Sequence, residues 1–262
     1  MLPEPIITLF DRFSVYMYGV MIAVGIAAAL GVMMLYAKIK NIEPAFVDFL
    51  FYNGLLSIAV GILSAALFQA VYNYIKYPAL GFRFSLDNLT FIGGLIGGAA
   101  CFLTVYAVMR RRYKTRLTHI LSLPPCCILI AHAFGRIGCF FAGCCYGKPT
   151  DSAFGVLFPG HFQRVHPTQL YEAGFLFLLF AVCSLLYLKW HFRHGLSVYF
   201  IAYGCFRFLL EFVRGDDRGK LFGALSPSQF WSIVMILIGI ALIFFLRFLQ
   251  KKYPDGVENV QK

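Results

Sequence analysis

Leu117-Thr-His-Ile-Leu-Ser-Leu-Pro-Pro-Cys-Cys-Ile-Leu-Ile-Ala-His132-Ala-Phe-Gly-Arg136-Ile-Gly-Cys139-Phe-Phe-Ala142 is an apolar run with one arginine near its end. As a helix it is long enough to cross about 30 Å of hydrocarbon. A guanidinium keeps its proton, so at membrane depth Arg136 requires an anionic partner, a polar cavity or a lipid headgroup. His132, Arg136 and Cys139 fall at i, i+4 and i+7, which sets all three on one face of a helix. That spacing suits a site better than a lipid-facing wall.

The rest of the chain agrees. At 60% hydrophobic and 13% charged residues, the composition excludes an ordinary soluble globular domain. Long apolar runs predict membrane helices over 15–37, 48–75, 91–109, 117–142, 168–188, 195–213 and 228–247. The expected fold class is an all-α integral membrane protein, a bundle of seven transmembrane helices. It forms a single membrane domain over 1–250, with a small outer head near 143–167 and a tail over 251–262. The second span is the most polar, carrying Asn53, Ser57, Ser64, Gln69 and Asn73. Met1-Leu-Pro-Glu-Pro has no basic character, and no small-residue cleavage site follows the first apolar run, so that span is expected to remain as an anchor.

The net charge of +11 invites a nucleic-acid reading, but its distribution points elsewhere. Lys38 and Lys40 follow the first span, Arg110, Arg111, Arg112, Lys114 and Arg116 the third, and Lys189 and Arg193 the fifth. Arg247, Lys251, Lys252 and Lys262 follow the seventh. With alternating spans all four groups share one side, which is then cytoplasmic and puts the N-terminus outside and the C-terminal tail inside. The lipid bilayer is the expected partner, and no nucleic acid is.

Eight cysteines are present, most of them inside predicted spans, where cysteine acts as a small apolar residue. Cys139, Cys144 and Cys145 cluster in sequence near the outer end of the fourth span. They are read as packing residues, a disulfide pair or a reactive thiol. C-x4-C-C matches no zinc signature and no neighbouring ligands complete four, so no metal or cofactor is expected. His166-Pro-Thr-Gln169-Leu-Tyr171 is echoed by Ser226-Pro-Ser-Gln229-Phe-Trp231. Each places proline in a helix start, either as a duplicated binding element or as two independent helix openings.

In the sixth span Tyr199, Tyr203, Arg207 and Glu211 recur every fourth residue and share a face. Arg207 and Glu211 can pair one turn apart, as a structural ion pair. Alternatively Arg207 and Arg136 line one cavity and clamp an anion. Two arginines against one glutamate leave a positive surplus that a phosphodiester headgroup would neutralise. Gly93, Gly94, Gly97 and Gly98 form two overlapping G-x-x-x-G pairs, which serve close helix packing or present bare N–H groups to an anion.

Taken in order, Tyr18-Gly19, Gly93-Gly94-Leu95-Ile96-Gly97, Gly135-Arg136-Ile137-Gly138, His166-Pro167-Thr168-Gln169-Leu170-Tyr171-Glu172 and Tyr203-Gly204-x-x-Arg207-x-x-x-Glu211 resemble the bacterial prolipoprotein diacylglyceryl transferase family. The resemblance covers nearly the whole chain. It implies seven membrane helices in the bacterial cytoplasmic (inner) membrane. It also implies transfer of the diacylglyceryl group of phosphatidylglycerol to the lipobox cysteine of a preprolipoprotein signal peptide, releasing glycerol-1-phosphate. The candidate catalytic residues are then Arg136, Arg207, Glu211, His132 and Tyr18. The candidate substrate-binding residues are Gly93, Gly94, Gly97, Gly138, Cys139, His166, Gln169 and Tyr203. Family members usually carry histidine where Ile92 stands, and G-N-x-x-N-G-E where this chain reads Gly138-Cys139-Phe140-Phe141-Ala142-Gly143-Cys144. His132 is a candidate for the missing histidine's role as base. The alternatives are a divergent paralogue that moves a phospholipid-derived group to another acceptor, and a lipid-binding membrane protein without catalysis.

Overall fold

Proline and glycine set the ends of the helices that hydropathy places. A computed structural model describes residues 7–9, 13–85, 90–115, 120–190, 192–215 and 225–252. Its helices are α1 (Met17–Ile39), α2 (Pro44–Lys76), α3 (Phe91–Met109), α4 (Leu123–Ala142), α5 (Thr168–Trp190), α6 (Gly195–Leu210) and α7 (Pro227–Lys252). Six of the seven are long and apolar enough to cross a membrane; α6, at 16 residues, is shorter. At 1.5 Å per residue it spans about 24 Å.

Two helix starts move. The second span, expected from 48, opens earlier at Pro44. The fourth helix was expected from 117 but starts at Leu123, directly before Pro124 and Pro125. Neither proline has an N–H to donate, and both are tolerated only in a first turn. The all-α class holds for the bundle, and ahead of α1 two three-residue strands, β1 (Ile7–Leu9) and β2 (Phe13–Val15), pair antiparallel with Ile7 opposite Val15.

The chain divides into two compact units, Met1–Lys40 with Leu117–Lys262, and Asn41–Arg116. The smaller unit pairs α2 with α3. Three of the polar residues that made the second span atypical bond across this pair. Asn53 Nδ2 donates to Phe102 O at 3.1 Å, Ser64 Oγ to Gly93 O at 2.9 Å, and Thr90 Oγ1 to Gln69 Oε1 at 2.6 Å. Glycine makes the approach possible. A Cβ on Gly93 would lie 2.6 Å from Phe68 Cβ, one on Gly98 would lie 3.0 Å from Ser57 O, and one on Gly97 would collide with Ser64. The G-x-x-x-G pairs therefore work as a packing seam. Glu43, at the start of α2, accepts from the Lys114 and Thr115 amides at 2.9 and 3.2 Å and ties down the chain after α3.

In the larger unit α1 packs on α4, α4 on α5, α5 on α6 and α6 on α7. Gly25 brings α1 against Ala131 O of α4, and Gly204 brings α6 against Ser232 O of α7. Lys40 closes α1 by donating to Leu188 O at 3.0 Å, with its ammonium 5.5 Å from the Tyr187 ring. Between α4 and α5, residues 143–167 fold on themselves through bridges Pro149–Val165 and Val156–Val165. Phe158, 1% exposed, centres an aromatic cluster there with Phe140, Tyr146 and His161.

Candidate active site

The site grows from the first two turns of α5. Glu172 is the only acidic residue of that helix and is 1% exposed. A carboxylate so placed needs positive partners and donors. It has them on both neighbouring helices. Tyr203 Oη of α6 donates to Glu172 Oε1 at 2.6 Å, and Arg136 Nε of α4 faces Oε2 at 3.1 Å. His132 Nε2, one turn before Arg136, lies 3.7 Å from Oε1, and its ring meets Tyr203 edge-on at 5.2 Å. Tyr199 stacks on Tyr203 and extends the row.

One turn further along α6, Arg207 Nη1 lies 2.7 Å from Glu211 Oε2, and Arg207 Nη2 donates to Ser228 Oγ at 2.9 Å. Ser226 Oγ donates to Glu211 Oε1 at 2.9 Å, and Arg214 Nε stands 4.0 Å from Glu211 Oε2. Ser226 also opens α7 as a capping box. Its amide donates to Gln229 Oε1 at 3.0 Å, and its Oγ accepts from the Gln229 amide at 3.2 Å. The helix start thereby aims Ser226 and Ser228 at the ion pair.

Three arginines (136, 207, 214) thus face two glutamates (172, 211), leaving one positive charge over. Arg136 Nε and Glu172 Oε2 are close but not aligned for a hydrogen bond, and the same holds for Arg207 Nη1 and Glu211 Oε2. A guanidinium has five N–H donors. These two hold their carboxylates electrostatically and retain donors for an incoming anion.

The chain leaves α4 in a Schellman ending. Gly143, left-handed at φ 69°, donates its N–H to Phe140 O, and the Cys144 N–H reaches Cys139 O. Cys145 is also left-handed, at φ 66°. Thr168 Oγ1 donates to Cys145 O at 2.7 Å and Gln169 Nε2 donates to Cys144 O, so the first turn of α5 grips this reversal by its carbonyls. The Sγ atoms of Cys139, Cys144 and Cys145 all lie within 4.8 Å of one another. Hydrogen bonds from the Cys139 and Cys144 thiols hold the Cys145 thiol below its usual range, and the Arg214 guanidinium adds to this. The hydrogen bonds to Cys139 and Cys145 push the Cys144 thiol up.

Residues 5–245 match the family described as prolipoprotein diacylglyceryl transferase. The chain belongs to that family. It is 35% identical over 257 residues to the phosphatidylglycerol–prolipoprotein diacylglyceryl transferase of Clostridium tetani, covering 92% of this chain and 97% of that one. It is 33% identical to the phosphatidylglycerol–prolipoprotein diacylglyceryl transferase 2 of Clostridium perfringens, over 93% and 95% of the two chains. The corresponding transferase of Methylococcus capsulatus is 32% identical, over 92% and 94%.

Within this diacylglyceryl transferase family member, the structure sorts the expected residues. His132, Arg136 and Tyr203 converge on Glu172, and Arg207 and Glu211 form the adjoining pair. Gly138 is buried under α1, where a Cβ would meet Tyr18 Cδ2 at 3.1 Å and Tyr18 O at 3.3 Å. It therefore lets Tyr18 of α1 lie close against α4. Gly93, Gly94 and Gly97 belong to the α2–α3 seam, and the Gly94 N–H donates to Thr90 O at 3.1 Å. Gln169, 1% exposed, holds the cysteine loop, and His166 Nδ1 lies 3.2 Å from Tyr171 Oη. Gln169 thus positions the loop, and His166 lies against the first turn of α5. The echo between Gln169 and Gln229 dissolves, since one grips another loop and the other caps its own helix. Sequence reasoning left Glu172, Arg214, Ser226 and Ser228 out of the site. Glu172 did carry a signal, as a lone carboxylate in an apolar span.

Proposed function

We propose that this chain transfers the diacylglyceryl group of phosphatidylglycerol to the lipobox cysteine thiol of a preprolipoprotein. The thiolate sulfur attacks the glycerol carbon bonded to phosphate, a C–S thioether bond forms, the C–O bond to phosphate breaks, and glycerol-1-phosphate departs with the bonding pair. The observation that carries this reading is the surplus positive charge of Arg136, Arg207 and Arg214 over Glu172 and Glu211 inside an apolar bundle.

Arg136 and Arg207 stabilise the phosphate oxygen as it takes up charge on leaving, with the donors their carboxylate partners do not consume. Glu172 and Glu211 orient these guanidiniums and hold their charge in place before substrate arrives. His132, in the polar row beside Arg136, takes the proton of the acceptor thiol, which must ionise to become nucleophilic. Tyr18, seated on Gly138, lines the α1 side of the same helix pair. Both substrates are membrane-borne and enter between helices.

The reading includes seven spans with α6 counted among them, an outer N-terminus and a cytoplasmic C-terminus, in the bacterial cytoplasmic membrane. The basic groups after the first, third, fifth and seventh spans support that orientation. The test is purified protein with phosphatidylglycerol and a lipobox peptide in mixed micelles, read by mass spectrometry. A diacylglyceryl thioether on the peptide cysteine is expected; phosphatidylglycerol binding without that product overturns the reading.

A further inference from the structure

We propose that Cys139, Cys144 and Cys145 form a three-thiolate site for a soft monovalent metal ion, Cu(I). Three Sγ atoms already lie within 4.8 Å of one another. A metal–thiolate bond of about 2.3 Å in a trigonal plane spaces its sulfurs by about 4.0 Å, so closure needs a contraction of under about 1 Å. Side-chain rotation alone supplies a shift of that size.

The backbone is shaped for this convergence. Cys139 ends the fourth helix, and a Schellman reversal followed by the left-handed Cys145 folds 144 and 145 back over it. A non-glycine residue in that region costs about 1–3 kcal/mol and persists only where its surroundings over-determine it. The surroundings here are the Thr168 and Gln169 side chains, which hold the two carbonyls and leave all three sulfurs free of the grip. A disulfide would consume two of the trio and strand the third, whereas a metal uses the odd number.

The donor set selects the ion. Among the described residues no histidine or carboxylate joins the three sulfurs. Zinc in structural sites takes four ligands, while all-sulfur, low-coordinate sites suit soft Cu(I). Cys144 is exposed and the other two partly so, which gives the ion an entry path. Binding displaces the thiol protons to solvent and leaves a complex of charge −2. Arg214, hydrogen-bonded to Cys145, and Arg136, one turn before Cys139, supply compensating charge.

The full chain, purified reduced and anaerobically in detergent, is titrated with Cu(I) against a chromogenic Cu(I) chelator, and thiols are then alkylated and mapped by mass spectrometry. One Cu(I) per chain and protection of Cys139, Cys144 and Cys145 are expected. Cys144→Ser, at an exposed position with melting behaviour as control, should weaken binding by at least about a hundredfold, more than loss of an outer-shell partner costs. Absence of protection at the trio overturns the proposal. So does a Cys139→Ser/Cys144→Ser/Cys145→Ser variant that holds Cu(I) as tightly as the parent, or zinc outcompeting Cu(I) at the same three thiols.

Discussion

Tyr203 and Arg136, on different helices, divide the two oxygens of one carboxylate: Tyr203 Oη bonds Glu172 Oε1 at 2.6 Å while Arg136 Nε faces Oε2 at 3.1 Å. Glu172 is thereby the joint between α4, α5 and α6, and it fixes where the Arg136 charge sits.

Glu172→Gln should accordingly destabilise the protein, because it leaves the part-buried Arg136 charge without its counter-ion. Breaking a buried pair by removing one partner costs about 3–5 kcal/mol. Thermal melts in detergent of Glu172→Gln, Arg136→Gln and the double variant check this. The double variant should be more stable than the sum of the single losses predicts. Additive losses would mean that the two side chains do not stabilise one another.

Arg136→Ala and Arg207→Ala should each lower transfer by at least about a hundredfold, the usual cost of removing one donor aimed at developing charge. Arg207→Lys should recover little, since an ammonium cannot serve Glu211, Ser228 and a phosphate oxygen together. Initial rates of thioether formation decide it, and near-normal turnover in either alanine variant removes the phosphate-clamp argument.

His132→Gln should slow transfer most at neutral pH and least on the alkaline side of the ordinary thiol pKa of about 8.5. The sign follows from the acceptor. Below that pKa the thiol needs a base, and above it solvent supplies the thiolate. A loss equal at all pH values would assign His132 to holding Glu172 and Tyr203 in place.

Gly97→Ala should destabilise the α2–α3 pair by about 1–3 kcal/mol, the range for overpacking, because the new methyl meets Ser64. Ser64→Gly in the same chain should restore most of the loss. Melts that show no rescue would overturn the packing role.

The helices were legible because each is an apolar run ended by proline, glycine or charge; the start placed at 117 ignored Pro124 and Pro125, and the one placed at 48 ignored Pro44. His132, Arg136, Tyr203, Arg207 and Glu211 were legible for a related reason, since i, i+4 spacing reads one helix face directly. Glu172 was not singled out, because its partners lie on two other helices and no spacing along α5 announces them. The spatial convergence of the cysteine trio was not legible for a different reason. Its convergence depends on two left-handed residues, Gly143 and Cys145, and on a grip from α5 twenty-three residues later. The glycines of α3 were legible as a motif, but spacing alone could not separate a packing seam from an anion cradle.

That grip has a consequence for how this loop can change. Thr168 and Gln169 bind main-chain oxygens, which every amino acid carries, so the address of positions 144 and 145 is independent of what stands there. The side chains at this corner can be exchanged while the corner stays where it is. The side chains there are thus replaceable fittings on a fixed mount.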